Sequence, residues 1–253
     1  MKILLGGALG RMGREVTAAA AEAQVEIVCG VDVAYTGQPS DYPIVTAFDQ
    51  ATQKADVLID FSRPSALPEL LQLVRKEKMP AVLCTTGYNE AELQMIEEAS
   101  REIPVFRSAN MSLGVNVLRH LVQEAARALG EDFDVEIVER HHRMKADSPS
   151  GTALMLYDSV KEATETLRQP VFGRYGRTAQ RQPGEVGIHA VRGGTITGEH
   201  EVCFYGDGEE LILTHRAEKR SLFARGALRA AAFLMDKPAG KYDMQDLIEE
   251  MLH

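Results

Sequence analysis

The run Glu139-Arg140-His141-His142-Arg143-Met144-Lys145-Ala146-Asp147-Ser148-Pro149-Ser150-Gly151-Thr152-Ala153-Leu154 gathers side chains that move protons and hold anions. Pro149-Ser150-Gly151-Thr152 has the composition of a loop closing onto a helix N-terminus, with Ser150 or Thr152 able to cap and backbone N–H groups pointing outward. Such an end attracts anions. Lys145, His142 and Arg143 bring positive charge to the same stretch, which suits a small substrate with one or two carboxylates. The plain alternative is a basic surface loop with a solvated histidine pair and an ordinary capped helix. The first hundred residues weigh against that alternative.

The elements that must position this chemistry follow from hydrophobic period. Asp134 to Val138 alternates and is β-branched, which predicts a strand, and Thr152 to Leu167 reads as a helix, so the basic run lies at a strand's end. At the N-terminus, Lys2 to Leu5 reads as a strand. Gly6-Gly7-Ala8-Leu9-Gly10-Arg11-Met12-Gly13-Arg14 then leads into a helix over Glu15 to Ala23, and Val25 to Val31 is the next strand. Asp32 closes that strand 19 positions after Gly13, about where a dinucleotide-binding unit places an acid for the adenosine ribose. The glycine pattern is imperfect, since Leu9 stands where the second glycine of GxGxxG would be. Gly10 and Gly13 supply the close approaches instead.

Asp32 also bears on the cofactor. A carboxylate accepts hydrogen bonds from two ribose hydroxyls and repels a 2′-phosphate, so NADH is expected to be accepted, while Arg11 and Arg14 keep NADPH open. Strands at Val57 to Phe61, Ala81 to Cys84 and Pro104 to Ser108, with helices at Pro64 to Lys78 and Glu90 to Arg101, extend the βαβ order. The expected class is α/β, a Rossmann-type domain whose mostly parallel sheet is covered on both faces. Ligands in such sheets bind beyond the strands' carboxyl ends, which marks the loops at 60–64, 84–88 and 108–112.

After a long helix over Val115 to Leu129 the pattern changes. The polar stretch Gly173 to Gly184 precedes strands at Glu185 to Gly194, Gly198 to Phe204 and Glu210 to Ala217, which predict a second α+β domain with an open antiparallel or mixed sheet. Ser221 to Met235 reads as a final amphipathic helix returning to the first domain.

Composition excludes several classes. The 253 residues, 45% hydrophobic, are enough for two modest domains. With 37 acidic against 28 basic side chains the formal charge is −9, which argues against nucleic acid as a partner. Cys29, Cys84 and Cys203 are odd in number and lack any CxxC, so neither a disulfide framework nor a thiolate metal site is expected and a cytoplasmic setting fits. No apolar run approaches the length that spans a bilayer, and the first residues do not form a signal peptide. No HExxH or comparable metal spacing occurs. His120, His189, His200 and His215 read as mostly structural, with His189 the one expected at a substrate cleft, and His253 ends the chain.

The chain resembles the 4-hydroxy-tetrahydrodipicolinate reductase (dihydrodipicolinate reductase) family from end to end. The resemblance is carried by GALGRMG at Gly7 to Gly13, DFSRP at Asp60 to Pro64, TTGY at Thr85 to Tyr88 and SANMSLGVN at Ser108 to Asn116. ERHHRMKADSPSGTA at Glu139 to Ala153 and IHAVRGGTITGEHEV at Ile188 to Val202 are the most specific segments. It implies NADH- or NADPH-dependent reduction of a small cyclic dicarboxylate in diaminopimelate and lysine biosynthesis, by a cytoplasmic homotetramer. It implies a cofactor domain over residues 1–111 completed by 219–253, and a substrate and oligomerisation domain over 112–218. Cofactor contacts are implied for Gly7, Ala8, Leu9, Gly10, Arg11, Met12, Asp32, Cys84, Thr85, Thr86, Ser108, Ala109, Asn110 and Met111. His141 and Lys145 are implied as the acid residues, while His142, Ser150, Gly151 and Thr152 hold the substrate. Two departures stand out: Cys84 replaces the usual glycine before Thr85, and Val33 follows Asp32 where some members carry an arginine. The second predicts use of NADH at least as good as that of NADPH.

Two other readings fit parts of this pattern. Another small-substrate nicotinamide dehydrogenase of the same build would not need the His141, His142, Lys145 and Ser150-Gly151-Thr152 set. A redox-sensing regulator that binds NAD(H) without turnover should carry a basic DNA-binding segment, which this sequence lacks.

Overall fold

In the computed structural model, which describes residues 1–164 and 168–252, the chain divides into two units, Met1–Leu113 with Arg220–His253 and Gly114–Lys219. The first unit begins with β1 (Lys2–Gly6), α1 (Arg11–Glu22), β2 (Glu26–Val31), β3 (Ile44–Val45) and β4 (Val57–Asp60). It continues through α2 (Leu67–Glu77), β5 (Ala81–Leu83), α3 (Glu90–Ser100) and β6 (Pro104–Arg107). The helix α4 (Leu113–Leu129) opens the second unit, followed by β7 (Asp134–His141), α5 (Gly151–Ala163), β8 (Gln169–Phe172), β9 (Glu185–Arg192), β10 (Gly198–Tyr205) and β11 (Glu210–Ala217). The chain then returns to the first unit with α6 (Ser221–Leu234), β12 (Gly240–Tyr242) and α7 (Met244–Leu252).

The first sheet has the order β12-β6-β5-β4-β1-β2-β3, with every pairing parallel. Its central strands are apolar apart from Lys2 at the start of β1 and Asp60 at the end of β4, because both faces are covered. Alternate residues divide between two cores. Ile3, Leu5, Val57, Ile59 and Val82 face α1 and α6, while Leu4, Leu58, Ala81 and Leu83 face α2 and α3. The order reverses between β1 and β4, so a crevice opens at the carboxyl ends of those strands, which is where such sheets bind ligands.

The second sheet, β11-β10-β7-β9-β8, is mixed: β7 pairs antiparallel with β10 and parallel with β9. One of its faces carries Val135, Ile137, Val186, Ile188, Val202 and Phe204, packed with Leu156 and Val160 of α5 and Leu118 and Val122 of α4. The α/β class with a second mixed sheet is as expected from the hydrophobic pattern.

Several boundaries differ from expectation, each for a local reason. The helix α1 begins at Arg11 rather than Glu15, since Gly10 ends the turn and Arg14 N already donates to Gly10 O at 3.1 Å. Gly13 therefore lies inside the helix. The segment from Pro64 starts as a 3-10 turn over Pro64–Ala66 before α2. The strand β7 runs on past Val138 to His141, because Glu139 and His141 continue its inward-facing alternation with polar side chains. The helix α5 ends at Ala163, and the expected continuation over 165–167 lies outside the described residues, as does His253. Ser221 to Met235 is not the last element. The three-residue β12 and the helix α7 follow it, and β3 and β8 were likewise too short, or too interrupted by proline, to carry a period.

Gly13 is the residue on which the turn and α1 close. A Cβ built there would stand 2.2 Å from Gly7 O and 2.5 Å from Ala8 O. Gly13→Ala is therefore expected to lower the urea midpoint of unfolding by an amount equivalent to about 1–3 kcal/mol, the usual cost of overpacking. An unchanged midpoint would show that the turn has slack.

Candidate active site

In the first unit the glycine turn folds back over the end of β2. Gly7 N donates to Val31 O at 2.8 Å, and Gly10 N donates to Gly7 O at 3.1 Å. Gly7 has φ of +74°, and a Cβ there would meet Phe61 O at 2.6 Å, so both its conformation and its surroundings require glycine. Asp32 pins this turn: its Oδ2 accepts from Leu9 N and its Oδ1 from Ala34 N, each at 2.9 Å. Each oxygen has a second lone pair available for a ribose hydroxyl. Gly10 caps α1 without a side-chain hydrogen bond, which leaves the helix start accessible to an anion.

Two adjoining cavities run along the carboxyl edge of the sheet. One, of about 250 Å³, is lined by Gly7, Gly10, Asp32, Val33 and Arg63. The other, of about 370 Å³, is lined by Met12, Cys84, Thr85, Thr86, Asn110 and Met111, and Phe61 and Ser62 border both. An acid beside a glycine cradle in one cavity, and small polar loops in the next, fit the adenosine and nicotinamide halves of a dinucleotide. Buried Asp60 ties the loops together, accepting from Thr85 Oγ1 at 2.7 Å and Ser62 N at 3.1 Å. Burial pushes its carboxyl up, and burial pushes the Cys84 thiol well up, so Cys84 is an un-ionised packing group. Ser108 Oγ donates to Asn110 O at 2.9 Å, and Asn110 Oδ1 accepts from Ser112 N at 2.9 Å, which stiffens the third loop. Ala8 is buried, so it presents only backbone to the groove, while Arg11 is exposed.

In the second unit the chemistry centres on Glu139, which is fully buried. Its Oε2 accepts from His141 Nδ1 and Arg192 Nη1, each at 2.6 Å, and its Oε1 accepts from Arg192 Nη2 at 2.7 Å and Ser150 N at 2.9 Å. Burial alone would raise this carboxyl, yet the bonds from Arg192, His141 and Ser150 hold it below the usual carboxylate range. The same ion pair raises the Arg192 guanidinium. Strand register explains the cluster: Glu139 and His141 share a face at i and i+2, Arg192 lies opposite His141, and His200 lies opposite Glu139. The rings of His141 and His200 meet edge to face with centroids 5.2 Å apart. Ser150 caps α5 by accepting from Ala153 N at 3.2 Å, and its Oγ also lies 3.0 Å from His200 Nε2. A Cβ on Gly151 would meet nothing, so the approach to the α5 N-terminus is open there.

Lys145 sits on a turn closed by its N–H to His142 O at 3.1 Å, and its Nζ donates to Asp147 Oδ1 at 2.8 Å. That bond lowers the Asp147 carboxyl. Asp147 is mostly exposed, so the pair contributes at most about 1 kcal/mol and a substrate carboxylate can displace it. Burial lowers the His141 imidazole, with Lys145 and Arg192 acting in the same direction and Glu139 opposing them. Arg143 is exposed.

The structure thus brings His141, Ser150 and the start of α5 together through Glu139, and places Lys145 on the turn that follows β7. Residue type and spacing alone do not single out Glu139 or Arg192, and His200, expected to be structural, packs against His141 and Ser150; the signal for them is the strand alternation continuing to His141. His189 is not at this cluster. It lies opposite Val138, hence on the other face of the sheet, where its Nε2 meets Glu136 Oε2 at 2.7 Å. The histidine that joins the site is His200. No group of His, Cys, Asp and Glu suited to a metal ion occurs among the described residues.

Burial lowers His200 to about 4, with the neighbouring His141 a smaller cause. A histidine held neutral in the fold takes up protons more readily when unfolded. Its contribution is therefore complete above pH 6.5 and is lost as pH falls towards 4. The wild type should lose about 3 kcal/mol more stability than His200→Gln between pH 6.5 and pH 4, measured by urea unfolding. Parallel pH profiles would contradict this.

Two family models match the chain: "Dihydrodipicolinate reductase, N-terminus" over residues 1–111 and "Dihydrodipicolinate reductase, C-terminus" over residues 114–248. A 4-hydroxy-tetrahydrodipicolinate reductase from Caldanaerobacter subterraneus subsp. tengcongensis is 49% identical over 251 residues, covering 99% of each chain. Among solved structures, a dipicolinate-bound dihydrodipicolinate reductase from Paenisporosarcina sp. TG-14 aligns with a TM-score of 0.78 at 22% identity, over 96% of this chain and 97% of that one. The WlbA dehydrogenase of Thermus thermophilus, solved with NAD and UDP-GlcNAcA, shares the fold at a TM-score of 0.52 and 14% identity, over 95% and 96% of the chains. With both family models matched in order and a relative sharing about half its positions from end to end, the chain belongs to the dihydrodipicolinate reductase family.

Proposed function

We propose that this chain catalyses the nicotinamide-dependent reduction of 4-hydroxy-tetrahydrodipicolinate to tetrahydrodipicolinate, the reductase step of diaminopimelate and lysine biosynthesis. The observation that carries the reading is the buried Glu139–His141 hydrogen bond beside an open helix N-terminus and a lysine, within a chain that also has a dinucleotide groove. Reduced nicotinamide, when bound, supplies the hydride.

The residues of the second unit supply the rest. Loss of the 4-hydroxyl as water gives a conjugated cyclic imine; adding hydride to that system leaves negative charge on the ring nitrogen system, which a proton donor within hydrogen-bond reach relieves. His141 and Lys145 are assigned that role. His142, Thr152 and the backbone at Ser150 and Gly151 are assigned to the substrate's carboxylates, which an α5 N-terminus and a displaceable Lys145–Asp147 pair both suit. In the first unit, Gly7, Ala8, Leu9, Gly10, Arg11 and Met12 are assigned to the pyrophosphate and Asp32 to the ribose. Cys84, Thr85, Thr86, Ser108, Ala109, Asn110 and Met111 are assigned to the nicotinamide end. The domain assignment is 1–111 with 219–253 for cofactor and 112–218 for substrate and assembly.

NADH is proposed to serve at least as well as NADPH, because the carboxylate assigned to the ribose, Asp32, is followed by the neutral, exposed Val33. The assembly is proposed to be a cytoplasmic homotetramer. Val191, Ile212 and Tyr205, each more than 40% exposed, lie on the face of the mixed sheet opposite its core and suit burial between copies. No helix among the described residues is long and apolar enough to cross a membrane, and the three cysteines are unpaired and buried.

With substrate generated in situ by the preceding synthase, the wild type should oxidise NADH, and His141→Ala and Lys145→Ala should each lose about 100-fold or more in kcat. Binding of NADH without oxidation would remove the reductase reading and favour a sensor. The KM for NADH should equal or lie below that for NADPH; a preference of about 100-fold for NADPH would overturn the cofactor assignment.

A further inference from the structure

We infer that Glu139, held in place by Arg192, is a positioning residue that fixes the tautomer of His141, so that Nε2 is the nitrogen that exchanges the catalytic proton. The inference rests on reading His141 as a proton donor, and adds which of its atoms acts and what holds it.

Geometry carries the argument. An ionised carboxylate only accepts hydrogen bonds, so the imidazole nitrogen 2.6 Å from Glu139 Oε2 must carry its hydrogen. Glu139 has every reason to be ionised: two bonds from one guanidinium, one from the Ser150 amide and one from the ring leave no room for its own proton. His141 therefore keeps Nδ1–H whether the ring is neutral or charged, and Nε2 alone gains and loses a proton. Nε2 faces Gly198, where a Cβ would stand 3.1 Å away; glycine at that position leaves the working nitrogen uncrowded.

Arg192 has a second effect. A lone buried carboxylate would hold His141 as imidazolium too firmly to release its proton, and a bidentate guanidinium cancels most of that charge. Arg192 is itself anchored, since its Nη2 donates to Asp147 O at 2.7 Å and its Nη1 to Val191 O at 2.9 Å. The groups that bear on His141 are thus Glu139 on its own strand, Lys145 on the following turn, Arg192 on β9 and the neutral ring of His200 on β10. Ser150 at the start of α5 fixes the far oxygen of Glu139, and His215 on β11 lies behind His200.

The test is a histidine ¹⁵N and ¹³C NMR titration of the full-length protein, with kcat and KM measured across pH on the same samples. The wild type should show neutral His141 as the Nδ1–H tautomer, a measurement that needs no variant. Glu139→Gln should move the His141 midpoint down by about one pH unit or more, mix the tautomers and lower kcat at least 10-fold with little change in KM. Arg192→Gln should move the midpoint up. Opposite shifts distinguish an electrostatic role from a loosened fold, which would move both midpoints towards the value of an exposed histidine. An Nε2–H tautomer in the wild type, shifts of the same sign, or an unchanged kcat in Glu139→Gln would each overturn the inference. If His141→Ala retained kcat, the proton-donor reading would fail while the tautomer result stood.

Discussion

A buried carboxylate with four donors on it organises the second unit. Glu139 has no exposed surface, and an uncompensated charge there would cost several kcal/mol. Its partners come from three places in the chain, His141 on the same strand, Arg192 on β9 and Ser150 at the start of α5, and Arg192 in turn donates to the carbonyl of Asp147. Satisfying one anion therefore fixes the His141 ring, the start of α5 and the loop that carries Lys145. Removing any one donor leaves part of a buried charge unmatched, so the cluster holds its arrangement as a unit.

The first unit depends on a different constraint, close approach of backbone to backbone. Gly7 meets Phe61 O, and Gly13 meets the carbonyls of Gly7 and Ala8, at distances where no side chain fits. The result is a turn thin enough for a pyrophosphate to reach the start of α1. Asp32 serves twice here, since the carboxylate suited to a ribose also holds Leu9 N and thereby the shape of the turn. Cys84 leaves the first unit's carboxyl-edge loops undisturbed: the buried thiol packs into the core cluster with Val82 and Met111.

The two units differ in how they use their ionisable side chains. In the first unit the buried Asp60 lies behind the groove and is used for hydrogen bonds that tie its loops. The second unit concentrates its titratable groups on one face of β7, β9 and β10 and an ion-pair network of Glu136, Arg174, Arg181 and His189 on the other. Period-2 alternation keeps these sets apart, although they interleave in sequence.

Much was legible because it depends on local order. The βαβ rhythm, the glycine turn with Asp32 after it, the Ser150 cap and the basic run are contiguous or close in the chain, so residue type and spacing determined the fold class and the stretches where chemistry lies. What the tertiary structure decided was which distant residues meet. Arg192 and His200 are 53 and 61 positions from Glu139, and only strand register puts the first across from His141 and the second across from Glu139. Short elements such as β3, β8 and β12 exist because a neighbouring strand offers hydrogen bonds, which no local period records. His189 and His200 are indistinguishable by type in the sequence. Pairing geometry sends one to Glu136 and the other to His141, because a side chain's face is set by its partner strand and not by its own neighbours.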